Sequence, residues 1–314
     1  MNSFQEIKEQ IDNSKSIIVT AHVNPDGDAI GAGLAMTLAL KKYGKDVRFV
    51  LQDKNPDTTN FLQGIELVEK YDKNKSYEND LTICVDCATK ERLGETQSLL
   101  ENKKSINFDH HISNTLYADL NCVKNISSTS ELVYNFLKDS DMELDKSIGE
   151  ALYTGLVNDT GNFQHDNVTE NTFKMAADLK KLGIKNSKIV REFMNTKTLA
   201  AIKLMGKAMF DMKFDENKKL AYYFMTREDL DMYNGRKEDT EGIVEKLLSL
   251  DKAEVSLFLR EDTKGVIKGS MRSKHDIDVN KIAAIFNGGG HTKAAGFTSN
   301  FTGDKIIDIV LENL

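Results

Sequence analysis

Four short runs rich in β-branched and apolar residues, Ser16 to Ala21, Asp46 to Leu51, Leu81 to Asp86 and Ser105 to Asp109, constrain the first half of this chain most. Helical patterns lie between several of them, beginning with the Ala-, Leu- and Met-rich segment Ala29 to Leu40. Strands that alternate with helices pair in parallel, because each return of the chain crosses over the sheet instead of turning back at its edge. The pattern predicts an α/β fold whose mostly parallel sheet carries helices on both faces.

Helical spacing then dominates. Ser130 to Lys138, Lys146 to Val157, Thr169 to Leu182 and Ser187 to Met194 each repeat apolar residues every three or four positions. Thr198 to Met212 reads as a further helix and as a connector. Beyond it come strand patterns at Leu220 to Met225, Ala253 to Arg260 and Gly265 to Met271, then helices near Val279 to Phe286 and Asp304 to Leu311. A chain of 314 residues can bury two cores. The expected organisation is a first domain over 1–195, a helical linker over 196–213, and a smaller α/β domain over 214–314.

Open α/β sheets carry their sites where the strands end. The first strand runs into Ala21-His22-Val23-Asn24-Pro25-Asp26-Gly27-Asp28, with one imidazole and two carboxylates packed around a turn-forming Pro and Gly. Asp86 closes the run Leu81 to Val85, and Asp109 closes Ser105 to Phe108 and is followed at once by His110 and His111. Asp159 follows the helix that ends Gly155-Leu156-Val157. A parallel sheet brings these strand ends to one rim. Of the six histidines in the chain, three fall in these motifs, which favours a site over scattered surface side chains.

Like carboxylates about 4 Å apart repel by roughly 4 kcal/mol at an effective dielectric near 20. If Asp159 reaches the same rim, the five carboxylates Asp26, Asp28, Asp86, Asp109 and Asp159 cannot all stay ionised there without protons or cations. Carboxylates and imidazoles without thiolates suit manganese, with iron, cobalt or zinc as other divalent candidates. Seven or so donors exceed what one tetrahedral ion needs and suit two ions about 3.5–4 Å apart that share a bridging carboxylate. Such a pair activates water and stabilises displacement at phosphorus.

Other classes are excluded. Lys and Arg number 42 against 49 Asp and Glu, a net charge of -7 that opposes binding to long nucleic acid. A nucleic-acid ligand must be short or gripped locally. No run approaches the roughly 18 apolar residues of a membrane span, and Met1 to Gln10 is polar, so a cytoplasmic protein with no membrane partner is expected. Cys84-Val85-Asp86-Cys87 matches C-x-x-C, but a spacing of three along a strand end is expected to send the thiols to opposite faces. Gly31 to Met36 lacks the third glycine of a dinucleotide fingerprint, and Asp26-Gly27-Asp28 places its glycine too early for an EF-hand. In the second domain Ser270 to Lys274 and Asn287-Gly288-Gly289-Gly290-His291 suit phosphate binding, through close backbone approach at the glycines and donors from Arg272 and His291.

With these residues in view the chain resembles the DHH phosphoesterases, and within them the small two-domain bacterial members of the nano-RNase and pAp phosphatase group. His22 to Gly31 is similar to the family's first motif, Val85-Asp86-Cys87-Ala88 to its second, Asp109-His110-His111 to its third and Asp159-Thr160-Gly161 to its fourth. Gly289-Gly290-His291 with Ala294-Ala295-Gly296 resembles the signature of the DHH-associated C-terminal domain. The resemblance implies that His22, Asp26 and Asp86 hold one manganese ion and that Asp28, Asp86, His110 and Asp159 hold a second. It further implies that Asp109 orients a ligand histidine, and that His111 faces the scissile phosphate. Arg272, Ser273, Gly289, Gly290 and His291 are implied to hold the substrate. The implied activity is hydrolysis of very short RNA, dinucleotides above all, to mononucleotides by a hydroxide activated between two metals, with removal of a phosphate from pAp. The implied assembly is a homodimer. Alternative readings are a c-di-AMP or pApA signalling phosphodiesterase and, in another class, a non-catalytic nucleotide-binding module. Ala32, Asn287 and the pair Gln164-His165 depart from the usual family pattern, and the last of these bears on substrate preference.

Overall fold

In the computed structural model, which describes residues 1–263 and 265–314, the chain forms two units, Met1–Thr196 and Lys197–Leu314. Each β-branched run of the first unit is a strand: β1 (Ser16–Ala21), β2 (Asp46–Leu51), β4 (Leu81–Val85) and β5 (Lys104–Asp109). Two shorter strands, β3 (Val68–Lys70) and β6 (Leu120–Val123), extend the sheet to the order β3-β2-β1-β4-β5-β6. Every pairing in it is parallel.

Alternation along the strands sorts the two faces. Ile17, Val19, Ala21, Leu81, Ile83 and Val85 enter the main core. That core lies under α1 (Phe4–Asp12), α2 (Gly27–Lys42), α3 (Thr129–Asp139) and α4 (Lys146–Asp159), with α5 (Glu170–Lys181) and α6 (Asn186–Val190) outside them. The intervening residues Ile18, Val50 and Cys84 face the 3-10 turns of Lys90–Leu100, which contribute Leu93 and Leu99. Helical layers thus cover both faces, α-helical on one side and 3-10 on the other.

Helices α2 and α4 approach closely through paired glycines. A Cβ on Gly31 would sit 2.6 Å from the Ala151 carbonyl oxygen and 2.8 Å from the Gly155 nitrogen. The contact brings the start of α2 and the end of α4 to the same rim of the sheet.

The second unit holds α7 (Leu199–Asp211), β7 (Lys213–Asp215), β8 (Leu220–Met225), α8 (Arg227–Met232), α9 (Ile243–Leu248), β9 (Val255–Thr263), β10 (Val266–Ser273), α10 (Val279–Ile285), β11 (Gly289–His291), β12 (Ala294–Ser299) and α11 (Gly303–Glu312). Its sheet runs β11-β12-β10-β9-β8-β7 and is antiparallel except between β8 and β9. The helix expected as a connector buries Leu204 and Ala208 against Ala221, Tyr223 and Leu247 of this unit. No helix among the described residues is long and apolar enough to cross a membrane.

Candidate metal centre

Register fixes the rim. Ala21 pairs with Val85 and Val85 with Phe108, so the residues that follow them, His22, Asp86 and Asp109, leave three adjacent parallel strands side by side. Asp86 turns away from β4 with a left-handed backbone, φ 54°, a conformation that Asp and Asn tolerate better than other side chains. Asp26 caps α2, accepting hydrogen bonds from the backbone N–H groups of Asp28 and Ala29 at 3.0 and 3.1 Å. Asp28 is fully buried. Its two oxygens accept from the backbone N–H groups of Thr129 and Ser130, at 2.6 and 2.9 Å, at the start of α3.

Asp86 sits at the centre. Its Oδ2 lies 3.5 Å from His22 Nε2, and its Oδ1 lies 3.7 Å from both His110 Nε2 and His111 Nδ1. Thr129 Oγ1 donates to the same Oδ1 at 2.9 Å. Donor atoms gather within 4.8 Å of one another in three groups: His22, Asp26 and Asp86; Asp28, His110 and Asp159; and Asp86, His110 and His111. His110 Nε2 meets Asp159 Oδ2 at 3.0 Å, and Asp159 is the last residue of α4 rather than a residue beyond it.

The outer contacts orient the rings. His22 Nδ1 lies 2.8 Å from the Val23 carbonyl oxygen and His110 Nδ1 lies 3.2 Å from that of Ile126, leaving each Nε2 toward the cluster. Asp109 Oδ1 holds His111 Nδ1 at 2.7 Å, so the histidine it orients is His111 and not His110. Asn114 Nδ2 donates to the other Asp109 oxygen at 2.6 Å and to Asn107 Oδ1 at 2.7 Å.

Burial opposes charge on these groups. It pushes the Asp26 and Asp28 carboxyls up, and the charges of Asp86 and Asp159 add to it. At His22 and His110 burial lowers the ring, but the facing carboxylates win. Asp86 raises His22, and Asp159 carries His110 to about 10. His111 is raised by its bond to Asp109. Asp86 moves down in spite of burial because His22, His110 and His111 surround it. The chain alone can balance this charge only with protons on carboxyls and imidazoles, and the donor set fits divalent cations in their place.

The remaining candidate residues lie in the second unit. Arg272 and His291 both pair with Ala294, so they share one row of the sheet across β10, β12 and β11. Arg272 forms a 3.0 Å ion pair with Glu245, Ser273 Oγ donates to the Ile277 carbonyl at 2.7 Å, and Gly289, Gly290 and His291 are exposed. Gln164 and His165 donate backbone hydrogen bonds to Thr160 beside the end of α4, and His165 Nδ1 lies 2.9 Å from the Asp159 carbonyl oxygen.

One expectation needs correcting. Cys84 and Cys87 do not point to opposite faces: both are buried in one cluster with Leu93, because the left-handed turn at Asp86 ends the strand pleat. Burial pushes both thiols up, Cys87 to about 12, so they remain unsuited to redox exchange. Residues that the sequence did not single out include Thr129, Asn114 and Arg92. The hydroxyl run Ser127-Ser128-Thr129-Ser130 marks a helix start, which was the available signal for Thr129.

Residues 16–156 match the DHH family, N-terminal domain, and residues 217–310 match the DHHA1 domain. The chain belongs to the DHH family and is a hydrolase of phosphoric esters. It is 30% identical over 286 residues, 90% of this chain and 88% of the relative, to the bifunctional oligoribonuclease and PAP phosphatase NrnA of Bacillus subtilis (strain 168). It is 29% identical over 285 residues, 90% of this chain and 83% of the relative, to the protein of the same name from Thermus thermophilus. An exopolyphosphatase-related protein from Bacteroides fragilis has the same fold, with a TM-score of 0.92, 29% identity, and coverage of 99% of this chain and 95% of that one.

Proposed function

We propose that this protein hydrolyses very short oligoribonucleotides, dinucleotides foremost, to mononucleotides, and that it also removes a phosphate from pAp. The observation that carries the reading is that Asp86 faces His22 of one donor group with one oxygen and His110 of another with the other. The names of the Bacillus and Thermus relatives supply the substrate class.

Two manganese ions would be held by His22, Asp26 and Asp86 and by Asp28, Asp86, His110 and Asp159. Bound there, they would lower the pKa of water and offset charge on phosphoryl oxygens. The chain's own residues do the rest. Asp86, fixed by Thr129, spans the two groups. Asp109 holds His111 through Nδ1, which leaves Nε2 free to hold or release a proton at a phosphate oxygen. Arg272, Ser273, Gly289, Gly290 and His291 bind the nucleotide end of the substrate.

The test is an activity panel with added Mn²⁺ over pAp, dinucleotides, 5-mers and cyclic dinucleotides. Cleavage that is fastest on dinucleotides and falls with length supports the reading. Binding of any of these without cleavage would instead leave a nucleotide-binding module.

A further inference from the structure

Arg92 stands beside the centre with no role in the reading above. It lies in the 3-10 turns that follow Asp86, and its side chain is exposed. Its one side-chain hydrogen bond among the described residues runs from Nη2 to His22 Nδ1, at 3.3 Å. No carboxylate pairs with it among those residues, although several stand just beyond the ring that it touches.

His22 has no need of that contact. Its Nδ1 already has the Val23 carbonyl at 2.8 Å, and a neutral imidazole whose Nε2 is a ligand carries its proton on Nδ1. Such a ring donates to Val23 and offers the guanidinium no lone pair. The fold does not need the side chain either. Arg92 ties its segment down through the backbone, with its N–H donating to Thr89 and its carbonyl accepting from Val23. A guanidinium with several unused donors, at the rim of a site for phosphoric esters, matches phosphate oxygens in shape and charge.

We infer that Arg92 binds the phosphoryl group under attack, moving off His22 to donate to its non-bridging oxygens. The inference rests on the phosphoesterase reading of the centre. Arg92 acts from the side of His22.

Wild type, Arg92→Ala and Arg92→Lys, each loaded with Mn²⁺, are compared by manganese content, affinity for inorganic phosphate and kcat/KM on the linear dinucleotide pApA. The Ala variant is expected to keep its manganese, bind phosphate at least tenfold more weakly and lose about 10²–10³-fold in kcat/KM. The Lys variant recovers part of both, because it keeps the charge and loses the fork. An Ala variant that binds phosphate within twofold of wild type overturns the inference, as do a loss of manganese and a wild type without affinity for phosphate. If wild type cleaves no short nucleotide, the proposed function fails, and phosphate affinity alone decides the role of Arg92.

Discussion

At the scale of single residues, the strongest constraint falls on Asp86. Its carboxylate faces three imidazoles, and its backbone is left-handed, so the position needs both a particular charge and a side chain that accepts positive φ. Asn satisfies the second demand and not the first. Asp86→Asn should fold with a melting temperature near that of wild type, lose turnover on dinucleotides and bind fewer than two manganese ions per chain by elemental analysis. Retained activity with two bound ions would remove Asp86 from the shared position.

At the scale of elements, the α2–α4 contact and the pairing of β2 with β3 each make a prediction. Gly31→Ala places a methyl within 3 Å of backbone atoms that cannot swing aside. Overpacking of this kind costs about 1–3 kcal/mol, which denaturant unfolding can measure. Arg48 on β2 grips Glu69 on β3 with bonds of 2.8 and 2.5 Å and holds its carboxyl at about 2, below the ordinary 4.5. That stability is fully present above pH 4.5 and is lost as pH falls through 2. The pair is about one-third exposed, so it is worth at most about 1 kcal/mol. The stability gap between wild type and Glu69→Gln should therefore shrink between pH 5 and pH 3, and a gap constant over that range counts against the pair.

Elements also show what can be read from sequence. The four long strands of the first unit and most helices were legible because their apolar spacing carries the signal. Strands β3 and β6, three and four residues long, have too few positions to show a period. Gly289 to His291, whose glycines suit close backbone approach to a phosphate, pairs as an edge strand with β12, which three residues are too few to signal. The cluster of His22, Asp26, Asp28, Asp86 and His110 was legible because strand ends in a parallel sheet share a rim, and Asp159 joins it from the end of α4. Thr129 and Arg92 were not, since each reaches the cluster only through packing between segments distant in sequence, and Asn114 was not because its reach back to Asp109 depends on the turn that follows His111.

At the scale of the whole molecule, the two units keep separate cores, one built from residues up to Ile189 and the others from Leu204 onward. Ligand bound only by the folded state stabilises by about 2.7 kcal/mol at a hundredfold excess over its dissociation constant. Manganese should raise the calorimetric transition of the first unit and leave that of the second in place, and a chelator should reverse the shift. Equal shifts of both transitions would show that the units unfold as one.

The parallel register of β1 with β4 joins Ile17 to Leu81, and the donors around it come from four stretches of chain. Contacts so distant in sequence form late, after much loop entropy has been lost. A pair of ions that together need all of them cannot guide the search for the fold and can only slow the escape from it. In stopped-flow experiments manganese should leave the refolding limb of the first unit unchanged and lower its unfolding rate, whereas faster refolding would place the centre early on the route. Under that order of events the lifetime of the native first unit, rather than its rate of formation, records how much metal the protein has met.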